Sequence, residues 1–348
     1  MVASLSSMRS ISLRLLLAGA VLVLGLGIAV AGAGAGAGAG GRSPALRAVP
    51  PAADAEPIVA AFTKLTRATD WQLVKKVPLR FDAHHPEGLV RLGDRFVLST
   101  VEVTQPTQRY QPPGTFIDGT DRTPGAGIGH LISFDAEGNQ LADKRLDDGA
   151  DIYHPGGLDY DGEHIYVAVA EYRPNRPSIL YRVDPDSLAA TEVLRTSDHI
   201  GGIVHDARRG RLVGLNWGAR TAYSWRIRGR RARLRDTIVN PSHFIDYQDC
   251  KYVGRASRFP NALMLCGGIA GLSHPGPDGQ PVSYDLGGVA LVDIETMRPV
   301  WEVPFQRYTD KRQVATRNAI DVQVVDGRLR LYLVADDDDS NLLVYEAR

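Results

Sequence analysis

The chain alternates short apolar stretches with turn residues, and no long amphipathic helical pattern interrupts them. Runs such as RFVLSTVEV, HIYVAVAEY and RLVGLNWG are eight or nine residues long and rich in β-branched and aromatic residues, and turn residues such as glycine and aspartate lie between them. Apolar runs of this length, separated by turn signals, are typical of β-strands. The pattern therefore predicts an all-β protein of short antiparallel strands.

These strands recur in units that begin with a glycine step. The first three units open with HPEGL at 85, HPGGL at 154 and HIGGI at 199, and each continues through a turn into a second strand. Two later units lack the histidine but keep the rhythm, DYQDCKYVG followed by NALMLCGG and AIDVQVVDG followed by RLRLYLVADD. Four-stranded antiparallel modules repeated along a chain are the signature of a β-propeller.

Counting the strands predicts how the ring closes. The last unit has only three strands before NLLVYEAR ends the sequence, whereas one strand, WQLVKKVPLRF, stands alone before the first unit. If that N-terminal strand completes the last blade, the ring has five blades of four strands and no open seam. Two longer intervals, 104–129 and 269–287, are interpreted as Pro- and Gly-rich insertions, which excludes a hidden sixth blade. We assign the propeller to 56–348, with a short outer helix near 57–68.

The first 55 residues indicate export. Arg9 and Arg14 precede an apolar run at 15–31, which is followed by a Gly/Ala repeat and a proline-bearing stretch. A basic segment, an apolar segment and small residues at Ala29 and Ala31 are typical of a secretory signal peptide, predicted at 1–31, with a flexible linker at 32–55. The alternative is an uncleaved membrane anchor, because the run is at the lower limit of membrane-spanning length. The expected location is secreted or periplasmic, with membrane contact only through an uncleaved leader.

The charge balance and the two cysteines further limit the classes of protein to which the chain can belong. The chain has 40 basic and 40 acidic residues, so it lacks the positive surplus of a nucleic-acid-binding protein. Its two cysteines, Cys250 and Cys266, lie in neighbouring strands around the turn RFPN, which places them opposite each other in a hairpin. Directly opposed positions are within disulfide reach, and an oxidising compartment favours the bond. Two buried free thiols are the alternative.

The repeated histidines are the candidate functional residues. The first strand of each propeller blade lines the central channel, so His85, His154 and His199 are predicted to meet at one mouth, joined by Glu87. The equivalent positions of the last two units are Asp246, Gln248 or Asp249, and Asn318 or Asp321, and among these we favour Asp249 and Asp321. Three imidazoles with a carboxylate form a donor set for a divalent metal such as Zn²⁺, Mn²⁺ or Fe²⁺, so His85, His154 and His199 are candidate metal ligands. The alternative is a structural role in which each histidine hydrogen-bonds a neighbouring blade.

Two functions follow as hypotheses. The first is a binding module whose channel mouth takes a small-molecule, carbohydrate or protein ligand. The second is a metal-assisted hydrolase or lyase acting on a small molecule or carbohydrate. No G-x-S-x-G elbow is present, so nothing in the sequence decides whether the protein is an enzyme. The acidic run at 336–339 is interpreted as a solvated turn, with Ca²⁺ binding as the alternative.

The units HPEGL, HPGGLDYDG, HIGG and YQDCKYVG together resemble an uncharacterised family of secreted bacterial β-propeller proteins, known as a domain of unknown function. The resemblance covers about residues 70–348 and implies a propeller and export, but no activity. In the general pattern of its blade sequences the chain is more loosely similar to gluconolactonase and strictosidine-synthase propellers. Those families hold calcium on carboxylate and asparagine side chains, have six blades, and lack such a set of histidines, so the resemblance does not extend to lactonase activity.

Overall fold

The computed structural model describes residues 55–229 and 231–348. The predicted signal peptide at 1–31 and the linker up to residue 54 lie outside the described residues. A helix, α1 (Glu56–Phe62), begins the described chain. Its apolar face, Val59, Ala61 and Phe62, is buried in a core formed with the last two blades. Within the described ranges no helix is both long and apolar enough to cross a membrane.

The described strands form five four-stranded antiparallel sheets, which confirms the predicted five-bladed propeller. Blade one consists of β2 (His85–Leu92), β3 (Arg95–Gln105), β4 (Ala126–Asp135) and β5 (Gln140–Arg145). Blade two consists of β6 (Ile152–Tyr160), β7 (Ile165–Glu171), β8 (Ser178–Val183) and β9 (Ala190–Thr196). Blade three consists of β10 (Ile200–Asp206), β11 (Arg211–Asn216), β12 (Thr221–Arg228) and β13 (Arg231–Val239).

The remaining blades show how the ring closes. Blade four consists of β14 (Asp246–Arg255), β15 (Ala262–Pro275), β16 (Pro281–Asp293) and β17 (Pro299–Pro304). Blade five joins β18 (Ala319–Val325), β19 (Arg328–Val334) and β20 (Asn341–Ala347) to the N-terminal strand β1 (Trp71–Pro78). Since β1 pairs with β20 from Trp71↔Ala347 to Pro78↔Asn341, the predicted closure is confirmed. Both ends of the propeller chain are thereby hydrogen-bonded into one sheet.

The two predicted insertions differ in structure. Residues 106–125 form an irregular connection between β3 and β4. The second segment, 269–287, was predicted to be a Pro/Gly-rich insertion, but it is an extension of the β15–β16 hairpin, paired as far as Pro275↔Pro281. Pairing continues because the two prolines lie at the tip of the hairpin, where no further ladder hydrogen bond is required.

Glycines allow the inner strands to approach one another closely. A Cβ at Gly156 would lie 2.2 Å from the Gly201 backbone oxygen, and a Cβ at Gly88 would lie 2.5 Å from the Leu158 nitrogen. The glycine steps of blades one and two are therefore packing requirements between neighbouring blades as well as turn signals.

The predicted disulfide is present. Cys250 and Cys266 are directly paired across β14 and β15, both are fully buried, and their sulfurs are bonded.

Candidate functional site

The three repeated histidines meet at one end of the central channel. His85 and His154 lie near the start of the inner strands of blades one and two, and His199 directly precedes the inner strand of blade three. The ring centroids of His85 and His154 are 6.3 Å apart, and those of His154 and His199 are 6.0 Å apart. All three line a cavity of about 250 Å³. The shared repeat position thus brings them together.

Backbone irregularities near the start of the inner strands direct side chains into this cavity. In blade one the register shifts between Pro86 and Gly88, which leaves Glu87 as an extra, bulged residue. Blade four has a corresponding shift between Tyr247 and Asp249, and its extra residue Gln248 lines the cavity. A β-bulge locally turns a side chain away from the regular alternation, and such bulges occur often beside functional sites.

Glu87 connects two of the histidines. Its Oε1 lies 2.9 Å from His85 Nε2 and 3.2 Å from His154 Nε2, and its side chain is almost fully buried. Burial raises the pKa of Glu87, but His154 and His85 lower it more, so the net pKa is well below the ordinary value. Glu87 is therefore an ionised carboxylate in the cavity wall.

His85 is held between two carboxylates. Its other nitrogen, Nδ1, lies 2.9 Å from Asp337 Oδ1, in the loop between β19 and β20 of blade five. Burial lowers the pKa of His85, but hydrogen bonds to Asp337 and Glu87 outweigh it and raise the pKa to about 9. Without a bound ligand His85 is thus an imidazolium at neutral pH.

His199 has the opposite character. Its Nδ1 lies 2.7 Å from the backbone oxygen of Glu171, and its side chain is buried. Burial, with the nearby His154, lowers the pKa of His199 to about 4. At neutral pH the ring is uncharged, and because Nδ1 donates to the carbonyl, Nε2 carries the free lone pair.

Two aromatic side chains complete the cavity wall. Tyr172 stacks on His154 at a centroid distance of 3.9 Å, and Trp217 contacts His199 edge-on at 4.7 Å. The Arg122 guanidinium lies 4.8 Å from the centre of the Trp217 ring. Sequence reasoning missed both aromatics. The available signal was their shared position, since each directly follows the second strand of its blade.

Asp337 was also missed, because the acidic run at 336–339 was interpreted as a solvated turn. That interpretation is wrong for Asp336, which is buried, whereas the Asp337 side chain is 45% exposed. Asp336 is only 4% exposed and accepts a hydrogen bond from Thr309 Oγ1, and Asp337 pairs with His85. These contacts come from elements far apart in the sequence, so the local run of four aspartates gave no indication of them.

Asp249 and Asp321 are not among the residues that line the cavity, whereas Asp246, Gln248 and Asn318 are. Three residues along a strand correspond to about 10 Å, so Asp249 and Asp321 lie further along the channel. Asp249 is completely buried and accepts hydrogen bonds from the backbone of three other blades. Asp321 accepts a hydrogen bond from the Arg91 amide of blade one. Both carboxylates join blades.

The donor atoms of His85, Glu87 and His154 all lie within 4.8 Å of one another. His199, predicted as the third ligand, lines the same cavity but is not part of this group. A second group, His84, Glu102 and His130, belongs to blade one and the segment before it. Two of its members, His84 and Glu102, line a neighbouring cavity of about 590 Å³ that shares His85 and Tyr172 with the first.

Comparison with known proteins gives a family and a fold. The model of a family of unknown function, DUF6454, matches residues 45–348. No curated protein matches the chain. A luciferin-regenerating enzyme has a TM-score of 0.44 at 9% identity, covering 80% of this chain and 95% of that one. The mannose phosphorylase MPT-4 from Leishmania mexicana, solved with phosphate ion, has a TM-score of 0.40 at 13% identity, covering 78% and 88%. U3-55K has a TM-score of 0.39 at 9% identity, covering 78% and 98%. At these scores none of the three carries an argument about activity.

Proposed function

The chain belongs to the family of unknown function DUF6454, and we propose that this member is an exported β-propeller that binds a small polar molecule at the mouth of its channel. The observation that carries this proposal is the cavity. Buried histidines, a buried carboxylate and two aromatic rings from different blades all face it. Cavities in which a few polar groups converge beside aromatic walls are the usual form of small-molecule sites.

The cavity's size and lining define the class of ligand. At about 250 Å³ it lies just below the range of about 300–1,000 Å³ for drug-sized ligands, so the molecule is of about monosaccharide size. Asp246, Gln248 and Asn318 supply acceptors and donors for hydroxyl groups, and Tyr172 and Trp217 supply apolar ring surface. Among the predicted partners, this favours a small hydroxylated molecule or single sugar unit over a protein surface, because the histidine side chains are nearly buried.

Export is supported by the buried Cys250–Cys266 bond, since disulfides persist mainly in oxidising compartments. Expression of the full chain, cell fractionation and N-terminal sequencing test this point. We expect the mature protein outside the cytoplasm with its N-terminus near residue 32. A cytoplasmic protein that keeps residues 1–31 would contradict export.

The ligand proposal is tested with a panel of neutral monosaccharides, sugar lactones and sugar acids, measured by thermal shift and tryptophan fluorescence. A ligand that binds only the folded state raises the midpoint as its concentration exceeds Kd. Trp217→Ala should abolish the ligand-induced rise of the unfolding midpoint. Trp225 lies in blade three but does not line the cavity, so Trp225→Phe should retain that rise. If no compound shifts the wild-type protein, or if the shift survives Trp217→Ala unchanged, the proposal is wrong.

The second candidate is a metal-assisted hydrolase or lyase. The convergence of His85, Glu87 and His154 favours it, because two imidazoles and one carboxylate match the protein ligands of known catalytic zinc sites. Bound metal would polarise a carbonyl or acidify a water there. Turnover of a panel compound that disappears with a chelator, and returns with the metal, would favour the enzyme over the binding module.

A further inference from the structure

We propose that His85 Nε2, Glu87 Oε1 and His154 Nε2 bind one divalent transition metal ion, with Zn²⁺ the best match, and leave a coordination position open to the cavity. This inference deepens the proposed function, since the metal would lie in the wall of the same cavity and contact the ligand there. The three donors differ from the histidine triplet predicted from the repeats, because Glu87 replaces His199.

The spacing of the donors supports the assignment. Tetrahedral zinc with bonds of about 2.0–2.2 Å places neighbouring donor atoms about 3.3–3.5 Å apart. Glu87 Oε1 is 2.9 Å from His85 Nε2 and 3.2 Å from His154 Nε2. All three atoms lie within 4.8 Å of one another. Both Glu87 distances are thus only a few tenths of an ångström shorter than the donor separation of a tetrahedral zinc site.

His154 supplies an independent observation. It is only 4% exposed, yet neither ring nitrogen makes a hydrogen bond of acceptable geometry within the described residues, although Nε2 lies 3.2 Å from Glu87. A buried polar atom without a partner costs about 1–3 kcal/mol, so such atoms are rare and require an explanation. A metal ion on Nε2 would provide one of the two missing partners, and Nδ1 would remain without one among the described residues.

The surroundings of His85 are those of a metal-binding histidine. Asp337 Oδ1 lies 2.9 Å from its Nδ1, so the proton that remains after metal binding is held on that nitrogen and Nε2 faces Glu87. Metal-ligating histidines almost always donate their second nitrogen to a carboxylate or carbonyl, which fixes the ring and the tautomer. Asp337 is accordingly a positioning residue, and Arg317 Nη1, 3.6 Å from the same oxygen, orients it.

Imidazole and carboxylate together select the metal. Imidazole suits zinc, copper, iron and nickel, whereas calcium and magnesium prefer an all-oxygen shell. Two histidines and one glutamate with a fourth open position form the donor set of catalytic rather than structural zinc sites. His199 lines the cavity beside this group with a lone pair on Nε2, available to accept a hydrogen bond from a molecule on the metal.

The experiment uses the folded, disulfide-intact protein after dialysis against a chelator, titrated with Zn²⁺ in competition with a chromophoric chelator. Wild type should bind one Zn²⁺ per chain at this site. Glu87→Gln should weaken binding at least 10-fold, His154→Gln at least 100-fold, and Asp337→Asn about 10–100-fold. Co²⁺ in place of Zn²⁺ should give the visible absorption of a four-coordinate site in wild type and lose it in His154→Gln.

Two control variants locate the ion. His205→Gln changes another largely buried histidine, which pairs with Asp161 at 2.8 Å in blades two and three, and should leave Zn²⁺ affinity unchanged. His130→Gln disrupts the neighbouring group around His84 and Glu102 and should also leave the site occupied. Urea unfolding of each variant shows whether it is folded, and folded variants alone enter the comparison.

The proposal is overturned if wild type binds Zn²⁺ no better than His154→Gln, or if His130→Gln abolishes binding while Glu87→Gln does not. Repeating the sugar-panel thermal shifts with and without Zn²⁺ separates the two proposals. Shifts that persist in metal-free protein that binds no Zn²⁺ would overturn the metal site alone. Zn²⁺ binding without any ligand shift would overturn the proposed ligand and leave the metal site standing.

Discussion

Asp249 allows the sharpest test of how the ring is held closed. Its carboxylate accepts hydrogen bonds from three backbone amides, at 2.9 Å from Leu89, 3.1 Å from Leu158 and 3.0 Å from Ile320. Lys251 Nζ donates to Oδ1 at 2.6 Å. The amides belong to blades one, two and five, and Asp249 belongs to blade four. One side chain therefore connects four of the five blades at the channel axis.

We expect Asp249→Asn to destabilise the fold by about 3–5 kcal/mol at neutral pH. Asparagine has the same shape but presents a donor on one side. If its oxygen replaces Oδ2, the Leu89 and Ile320 bonds survive, while the amide group faces the Leu158 N–H and Lys251. An orphaned buried amide costs about 1–3 kcal/mol, and a lost hydrogen bond to a charged group costs about 1.5–3 kcal/mol.

The charge itself contributes less than the geometry. Burial raises the pKa of Asp249 to about 6 even though Lys251 and the backbone amides lower it. The ionised form is therefore disfavoured by the surroundings relative to water, and neutralising the group is not the main cost of the substitution. Asp249→Asn replaces the oxygen that accepts from Leu158 and Lys251 with a group that can only donate. The expected loss of stability therefore comes from losing an acceptor and not from losing a charge.

Equilibrium urea unfolding followed by tryptophan fluorescence measures this loss as a lower midpoint with an unchanged m-value. The matched control is Asp326→Asn, an exposed turn residue with φ 50°, where asparagine is readily accommodated. Its free energy of unfolding should remain within about 0.5 kcal/mol of wild type. If Asp249→Asn also remains within that margin, the idea that Asp249 joins the blades is refuted.

Three further predictions concern the scaffold. Gly156→Ala should destabilise the protein by more than about 2 kcal/mol in urea unfolding, because the new Cβ would meet a backbone oxygen at 2.2 Å; Gly202→Ala, whose Cβ would have 3.5 Å of space, should be nearly neutral. Replacing Cys250 and Cys266 together by alanine should cost about 3 kcal/mol, since the bond closes a loop of 16 residues, and a reductant should lower the wild-type midpoint but not the variant's. Burial raises the pKa of Asp159 to about 6, above its unfolded value near 3.9, so the folded state holds the proton more tightly. That stabilisation, at most about 3 kcal/mol, is fully present below about pH 4 and is lost as the pH rises through 6. Asp159→Asn should remove this part of the pH dependence. An unchanged slope of the free energy of unfolding against pH, between pH 4 and 7, would contradict the prediction.

The fold was predictable from the sequence because a propeller repeats one local pattern. Each unit carries its own turns and apolar strands, so the number of blades and the closure by β1 follow from counting. The extended β15–β16 hairpin was not predicted, because the prolines and glycines of 269–287 are typical of a loop. The segment is nevertheless extended, because its two halves pair with each other. Local composition indicates turns well, but it does not show which exposed strands will pair.

The position of the site was predictable from the sequence, but the identity of all the residues that form it was not. Equivalent residues of repeated units occupy equivalent places around the axis, so the meeting of His85, His154 and His199 required no knowledge of long-range contacts. Asp337 comes from a loop of the last blade, and its contact with His85 spans 252 positions of the chain. Such contacts depend on how the blades pack, and a single sequence contains no local signal for them.

One repeat position has thus acquired different chemistry in neighbouring blades. His85 lies between the carboxylates of Glu87 and Asp337, and its pKa is raised to about 9, whereas His199 faces a backbone carbonyl in a buried setting, and its pKa is lowered to about 4. The difference comes from the groups around each ring, which are Glu87 of the bulge and Asp337 of the blade-five loop beside His85, and the Glu171 carbonyl beside His199. A histidine kept only to support a turn would need no such distinct partners, so this asymmetry adds to the support that the cavity gives to the proposed binding function.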